Sequence, residues 1–248
     1  MSTNYTYQQL YTAIKEAGVH PALGEYGAGW SIEQNPHELA VFLHAMQTLG
    51  VRSCLELGTG AYGGLARFMI ERMNWQVWSV DKNAPHYYPG AGVFTQLTTE
   101  EARKHFHIDQ FDLVFIDADH SFDAVKIDYA VYGDVARLAV GFHDIAGLRD
   151  CEGSKRFWDA ISRSIIRLRG EWVHEAYLDN GKPIPRQYGA PIYSGFYEVI
   201  ENSPQKAGIG WIVKSEVDTV TTVTVDPIAD YEQVRQLKPK RQRKAKNA

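Results

Sequence analysis

The chain has 248 residues, 44% of them hydrophobic, and a formal net charge of −4. These values predict a globular protein with a sizeable core, in one α/β domain with additions or, less comfortably, two small domains. Its two cysteines lack C-x-x-C spacing, which argues against a disulfide framework and a structural zinc site. The N-terminus has no signal-peptide pattern and no apolar stretch is long enough to cross a bilayer, so we expect a cytoplasmic protein that does not span a membrane.

The first fifty residues carry two helical patterns and no strand pattern. Apolar residues recur at helical intervals over 7–17 and again over 36–47, and a glycine-rich link at 24–29 separates the two. We therefore expect residues 1–50 to form N-terminal helices that precede the core. These helices leave open a homodimer in which they pack across the interface.

From residue 53 onwards, predicted strands alternate with predicted helices. The predicted strands cover residues 54–57, 76–80, 93–97, 112–116, 138–142, 172–177 and 209–214. The predicted helices cover 64–73, 122–132 and 154–166, and Thr-Thr-Glu-Glu at 98–101 has the chemistry of a capping box at a helix start. This alternation predicts a Rossmann-like, doubly wound α/β fold, with a mostly parallel seven-stranded sheet and helices on both faces.

A glycine-rich turn follows the first strand, in the sequence Leu-Glu-Leu-Gly-Thr-Gly-Ala-Tyr-Gly that starts at residue 55. Its glycines satisfy G-x-G-x-x-G, a pattern that by itself suggests a dinucleotide on the next helix N-terminus. However, Glu56 would repel a pyrophosphate and attract the ammonium and sulfonium groups of S-adenosylmethionine. We therefore predict a methyl donor at this turn. The residues assigned to it are Glu56, Gly58, Thr59, Gly60 and Gly63.

Acids and histidines follow later strands at their carboxyl ends, which share one edge in a parallel sheet and bind ligands there. Asp81 ends the second strand, at the distance where a carboxylate binds the ribose of either cofactor. The residues after the fourth and fifth strands are Asp117, Asp119, His120, His143 and Asp144. Each alone could be a helix cap or a hydrogen-bonded core histidine. Their shared edge favours a functional site.

Three of these residues have the chemistry of a metal site. Asp117 and Asp144 supply hard carboxylate oxygens, and His143 supplies an imidazole on a neighbouring strand end. This combination predicts a divalent ion with open positions for water and substrate.

Taken together, the motifs resemble class I S-adenosylmethionine-dependent methyltransferases, and among them the metal-dependent catechol-type and macrolide-sugar O-methyltransferases and the related cephalosporin-hydroxylase-like group. The resemblance covers about residues 30–214, and its most specific phrase is Phe-Asp-Leu-Val-Phe-Ile-Asp-Ala-Asp-His-Ser at 111–121. It implies that Glu56 and the glycine turn hold the methionine part of S-adenosyl-L-methionine and that Asp81 binds its ribose. It further implies that Asp117, which also belongs to the cofactor pocket, binds a magnesium- or manganese-like ion with Asp144.

The predicted reaction is metal-assisted O-methylation of a small hydroxylated molecule. The ion would make the acceptor hydroxyl an anion, and Asp119 is the first candidate base, followed by His120 and His143. The chain departs from the family because His143 stands where a carboxylate is common after strand five. Either the ion is softer than magnesium, or His143 is a base or a support for the ligands.

Several alternatives stay open. They are a cephalosporin-hydroxylase-like metal enzyme on the same fold, an NAD-dependent oxidoreductase, a non-catalytic binding module, and a methyltransferase without a catalytic metal. We expect a methyltransferase core over residues 51–216 with a lid or insertion near 179–194, then a C-terminal extension at 217–248. That extension ends in a basic, disordered tail that leaves open a weak contact with nucleic acid.

Overall fold

The computed structural model describes residues 4–18, 30–107, 109–148, 150–162, 165–168, 196–201 and 207–214. Its strands are β1 (Ser53–Leu57), β2 (Gln76–Asp81), β3 (Val93–Gln96), β4 (Phe111–Ile116), β5 (Ala136–His143), β6 (Ile165–Leu168), β7 (Phe196–Val199) and β8 (Ile209–Val213). Its helices are α1 (Tyr7–Ala17), α2 (Pro36–Thr48), α3 (Gly64–Glu71), α4 (Thr99–Ala102), α5 (Phe122–Tyr132) and α6 (Glu152–Ile161). The predicted strand 172–177, the predicted lid at 179–194 and the basic tail lie outside the described residues.

All eight strands form one sheet in the order β3-β2-β1-β4-β5-β8-β7-β6. The first five are parallel to one another, and the chain runs outwards from β1 to β3 before it returns to β4 on the other side. β8 pairs antiparallel with both β5 and β7. The predicted α/β fold class, with its doubly wound and mostly parallel sheet, is therefore confirmed. The point where the strand order reverses lies between β1 and β4.

The sheet has one strand more than the seven expected, because part of a predicted helix is a strand. Residues 165–166, assigned to a helix over 154–166, belong to β6, which pairs with β7. α6 instead ends at Ile161, and Ser162 already has an extended backbone. The β-branched pair Ile165 and Ile166 suits a strand better than a helix end. β7 itself was not predicted.

The helices begin where local chemistry satisfies their first amide groups. The predicted capping box is present at α4, where Thr98 Oγ1 accepts the Glu101 N–H (3.2 Å) and the Glu101 carboxylate accepts the Thr98 N–H (3.1 Å). At α2, Asn35 Oδ1 accepts two backbone N–H groups and Pro36 takes the first position. These starts fix the helices that flank the sheet.

Both faces of the sheet are covered. Every residue of β4 is buried, as expected for a central parallel strand with helices on both sides. On one face, α2 packs on the sheet, with the Phe42 ring centroid 5.3 Å from that of Phe115 and 5.7 Å from that of Trp211. On the other face, Phe142 packs against Phe157. Among the described helices, we find none with both the length and the apolar character that a bilayer span requires.

Candidate active site

The glycine turn connects β1 to α3, and its glycines are required by close backbone approaches. Gly58 has φ +87°, and a Cβ atom there would lie 2.0 Å from the carbonyl oxygen of Asp117. Gly63, directly before α3, has φ +63°, and a Cβ there would lie 2.7 Å from the carbonyl oxygen of Tyr87. Glycine alone tolerates both the backbone angles and the contacts without strain. Backbone conformation and packing therefore account for glycine at positions 58 and 63.

The amide groups of this turn already have acceptors within the protein. The Gly58 N–H donates to the Val80 carbonyl oxygen at 2.8 Å. The Thr59 and Gly60 N–H groups donate to Asp81 Oδ2 at 3.0 and 3.2 Å. A pyrophosphate at such a turn depends on free N–H groups, and these three are occupied. The turn is therefore poorly suited to a dinucleotide.

Asp81 supports the turn and faces the cavity beside it. Besides the two turn amides, its carboxylate accepts the Asn83 N–H at 2.8 Å through Oδ1. A carboxylate can accept roughly four hydrogen bonds, so one position is left for a ligand hydroxyl. Asp81 thus has a structural role in the turn and retains the capacity predicted for a ribose contact.

Glu56 is buried at the end of β1, with 2% of its surface exposed. It accepts a hydrogen bond of 2.6 Å from the Ser79 hydroxyl. The pKa of Glu56 is raised to about 8, chiefly by burial; the charges of Asp117 and Asp81 contribute to the rise, and the Ser79 hydrogen bond opposes it. Among the described residues, no cationic side chain contacts this carboxyl. A cation entering the cavity would favour its ionised form.

Two carboxylates and two imidazoles meet at the ends of β4 and β5. We call Asp117, His120, His143 and Asp144 the His–Asp ring, because each imidazole contacts both carboxylates. His143 Nδ1 lies 3.1 Å from Asp117 Oδ1 and 3.3 Å from Asp144 Oδ2. His120 Nε2 lies 3.4 Å from Asp117 Oδ1 and 3.1 Å from Asp144 Oδ2. The structure thus brings together the three predicted metal ligands and one residue that was predicted only as a base.

The charges of the ring depend on one another. Burial would lower the pKa of His143, but the adjacent Asp117 and Asp144 raise it well above its usual value. Likewise, burial would raise the pKa of Asp117, but the charges and hydrogen bonds of His143 and His120 lower it. The pKa of His120 is raised, chiefly by its hydrogen bond to Asp117. Without a bound cation, the ring is therefore a set of compensating ion pairs.

The backbone of Asp144 is unusual, because its φ of +59° lies in the left-handed region. Aspartate tolerates this region better than most residues, at a cost of about 1 kcal/mol. The following turn closes through a hydrogen bond from the Gly147 N–H to the Asp144 carbonyl oxygen at 3.2 Å. This conformation places the Asp144 carboxylate beside both histidines.

Two residues of this site have no recognisable pattern in the sequence. Gln34 is a buried residue of the segment that connects α1 to α2, and its Nε2 donates to Asp117 Oδ2 at 2.7 Å. Cys151 is buried at the start of α6, and its sulfur, His120 and Asp144 have possible ligand atoms within 4.8 Å of one another. Gln34 is 83 positions from Asp117 along the chain. Nothing in the local sequence of either residue indicates that it reaches the strand ends.

Asp119, the first candidate base, lies away from this cluster. It is exposed and does not line the cavity, and its Oδ1 accepts the Ser121 N–H at 2.8 Å just before α5. The Ser121 hydrogen bonds lower the pKa of Asp119. The geometry favours the alternative role in the turn before α5, and it moves His120 ahead of Asp119 as the candidate base.

One cavity of about 440 Å³ joins the two parts of the site. This volume lies within the range of small-molecule sites. Its wall contains the predicted residues Glu56, Gly58, Thr59, Gly60, Gly63, Asp81, Asp117, His120, His143 and Asp144. Gln34 and Glu33 also line it, and a Cβ on Gly60 would lie 3.4 Å from the Glu33 carboxylate. The cavity is thus acidic at both ends.

Comparisons with known proteins give similarities of structure only. Neither the protein-family models nor the curated proteins match the chain. A solved structure of a candidate O-methyltransferase from Klebsiella pneumoniae is 11% identical with a TM-score of 0.48, over 83% of this chain and 90% of that one. An O-methyltransferase from Bacillus cereus in complex with SAH is 13% identical with a TM-score of 0.40, over 84% and 89% of the two chains. The fold assignment rests on the strand order of the sheet and not on these similarities.

Proposed function

We propose that this protein is an S-adenosylmethionine-dependent methyltransferase that methylates a hydroxyl oxygen of a small molecule with the help of a divalent metal ion. The observation that carries the proposal is the shared cavity, in which Glu56 and the glycine turn lie at one end and the His–Asp ring at the other. Donor and acceptor bound at these two ends would lie side by side. Methyl transfer depends mainly on such in-line positioning.

The donor end fits a ligand that carries positive charge. Glu56 would pair with the ammonium of S-adenosylmethionine, since a buried carboxylate gains most from an opposite charge in a low dielectric. Gln34 Oε1 is buried and has no hydrogen-bond partner among the described residues, so it offers a second acceptor beside the cavity. Asp81 retains one position for a ribose hydroxyl. A nicotinamide dinucleotide is disfavoured, because the amides at positions 58–60 donate to Val80 and Asp81.

The acceptor end fits a hydroxyl that must lose its proton. A divalent ion held by Asp117, His143 and Asp144 would supply Lewis acidity that lowers the pKa of an acceptor hydroxyl. His120 is the more exposed imidazole of the ring and would take the hydroxyl proton on Nε2. Because the thioether product of the donor leaves as a neutral group, the site needs no general acid.

Ligand binding to the full chain tests the donor end. We expect S-adenosylhomocysteine to bind measurably by calorimetry and NADH not to bind. Glu56→Gln keeps the shape of the side chain and removes its charge, so it should weaken S-adenosylmethionine binding by at least about tenfold, or about 1.4 kcal/mol.

The matched control is Glu71→Gln, the same substitution on an exposed residue of α3 whose carboxylate pairs with Arg67. This control should bind like the wild type, and thermal melting should show that both variants are folded. Binding of NADH in place of S-adenosylhomocysteine, or equal affinity of both variants and the wild type for S-adenosylmethionine, would contradict the proposal.

A further inference from the structure

We propose that the His–Asp ring binds a zinc-class divalent ion in tetrahedral coordination, with His120 as the fourth ligand. The inference deepens the proposed function, on which it rests for the use of the ion in catalysis. It concerns which ion the ring selects and how many side chains hold it. A magnesium-type site would need neither imidazole.

The spacing of the ring atoms is the first argument. The four distances between an imidazole nitrogen and a carboxylate oxygen of the ring are 3.1, 3.1, 3.3 and 3.4 Å. A tetrahedral zinc ion with bonds of 2.0–2.2 Å holds its ligand atoms about 3.3–3.5 Å apart. An octahedral magnesium ion at 2.0–2.1 Å brings adjacent ligand atoms to about 2.9 Å. The four distances lie between these two spacings. Both imidazole nitrogens contact the same two carboxylate oxygens, Asp117 Oδ1 and Asp144 Oδ2, so an ion bound between those oxygens would have both imidazoles beside it.

The chemical nature of the donors is the second argument. Imidazole nitrogens suit zinc, cobalt and iron, whereas magnesium prefers a shell of oxygens and keeps several waters. A ring that offers two imidazoles and two carboxylates thus discriminates against magnesium. The nitrogens that contact the carboxylates are His120 Nε2 and His143 Nδ1. Among the described residues neither of them donates to a backbone carbonyl, so both face the carboxylates that would share the ion.

A residue behind the ring holds one carboxylate in place. Gln34 Nε2 donates to Asp117 Oδ2 at 2.7 Å, which leaves Oδ1 directed at both histidines. Groups that hold a ligand in this way raise metal affinity by fixing the ligand's orientation. Gln34 is buried, with 4% of its surface exposed, so this support is part of the folded protein.

His120 is the ligand that an acceptor would replace. Its side chain is 31% exposed, compared with 6–14% for the other three ring residues. Catalytic zinc sites keep one position for water or substrate, whereas sites closed by four protein ligands are structural. With His120 as a ligand the site would be closed, and its exchange for an acceptor hydroxyl would leave the imidazole free to take the proton.

Cobalt(II) is the probe of choice, because tetrahedral cobalt absorbs visible light far more strongly than octahedral cobalt. The full chain, freed of metal with a chelator, should bind cobalt stoichiometrically and show the strong visible bands. Zinc should displace the cobalt, and magnesium in large excess should not. His120→Gln should weaken cobalt binding by at least about tenfold and remove most of the visible intensity.

His86→Gln is the matched control, since it makes the same change at an exposed histidine outside the ring. It should leave the cobalt spectrum unchanged. Asp144→Asn provides a second variant of the ring and should also weaken cobalt binding, and thermal melting of the metal-free variants reports their folding. Wild-type spectrum and affinity in His120→Gln, or displacement of zinc by magnesium, would overturn the proposal.

Cys151 gives a further check, because a thiolate ligand adds a near-ultraviolet charge-transfer band to a cobalt spectrum. We expect no such band in the wild type and no spectral change in Cys151→Ser. A near-ultraviolet band that disappears in Cys151→Ser would refute the four-ligand set. Binding of S-adenosylhomocysteine to the metal-free protein, without any cobalt binding, would refute this inference and the metal ion of the proposed function, and would leave the proposed donor site standing. Cobalt binding without S-adenosylhomocysteine binding would instead refute the proposed donor site.

Discussion

The backbones of Gly58 and Asp117 approach so closely that a Cβ atom on Gly58 would lie 2.0 Å from the Asp117 carbonyl oxygen. The Asp117 N–H also donates to the Leu57 carbonyl oxygen at 2.8 Å, so this contact joins the donor turn to the His–Asp ring. Any side chain at position 58 must push these two halves of the site apart.

Gly58→Ala is therefore expected to destabilise the protein and to reduce S-adenosylhomocysteine binding. Gly50→Ala is a matched control, because Gly50 has nearly the same φ (+85°) and no atom within 4 Å of the added Cβ. The control should cost about 1–2 kcal/mol, the penalty of the left-handed backbone alone. Gly58→Ala should cost about 3 kcal/mol or more in urea unfolding, since the clash adds to that penalty. Equal losses in the two variants would refute the close-contact argument.

Binding of a cationic donor should release a proton from Glu56. The pKa of Glu56 is about 8 in the free protein, chiefly through burial, so this carboxyl is mostly protonated at pH 7. A bound ammonium favours the ionised form and lowers that pKa, so affinity should rise with pH between 6 and 8. Calorimetry at pH 7 in buffers of different ionisation enthalpy should show release of close to one proton per ligand. Glu56→Gln should abolish this release, and an unchanged value would place the titrating group elsewhere.

Asp128 should reduce stability at alkaline pH. Burial raises the pKa of Asp128 to about 6, above the value of about 3.9 for an unfolded chain, so the folded state binds the proton more tightly. Below pH 4 the protonated carboxyl has no destabilising effect. The free energy of unfolding falls as the pH rises from 4 through 6, because the folded protein must then bury a charged carboxylate. Asp128→Asn removes a cost of about 2–3 kcal/mol at pH 8 and little at pH 4.

Urea unfolding of Asp128→Asn at both pH values measures this effect. The control is Asp123→Asn on the same helix, where the residue is exposed. Its effect on stability should differ much less between the same two pH values. A gain from Asp128→Asn that is independent of pH would contradict the explanation.

Glu38 connects α2 to the chain after β7 and directly before β8. It is fully buried and accepts the Glu201 N–H at 2.7 Å and the Gly208 N–H at 2.9 Å. Glu38→Gln places an amide NH₂ opposite one of these donors, so we expect a loss of about 1–3 kcal/mol in urea unfolding. Glu16→Gln, on the exposed face of α1, should change stability by less than about 0.5 kcal/mol. A loss of that small size in Glu38→Gln would show that one acceptor is enough.

The sequence predicted the parts of the fold that depend on local patterns. β4 is a continuous apolar run, and Thr98 with Glu101 is a capping box, so both were recognisable without a structure. β6 was mistaken for a helix end because Ile165 and Ile166 continue an apolar spacing. Only pairing with β7, which is distant in the chain, makes them a strand. Such pairings are non-local and leave little signal in a short window.

The candidate site was predictable where strand ends converge and not where side chains reach it from elsewhere. Asp117, His143 and Asp144 follow strands, so parallel pairing alone brings them together. The direction of a side chain is a different matter: Asp119 points to the Ser121 amide, although it is only two residues from Asp117. Gln34 and Cys151 lie directly before helices and not at the ends of strands, and no spacing rule connects them with Asp117 or Asp144.

The antiparallel pairing of β8 with β5 has a consequence for the order in which the protein folds. β5, which carries His143, pairs with β8 along one side, and β8 comes from residues 209–213. During synthesis β5 leaves the ribosome well before β8, so its apolar edge stays unpaired in the interval and is open to association with other chains. Closure of this edge joins residues distant in the chain and is slow for that reason. Amides of β5 should accordingly gain protection from hydrogen exchange late in refolding, after those of β1 and β2.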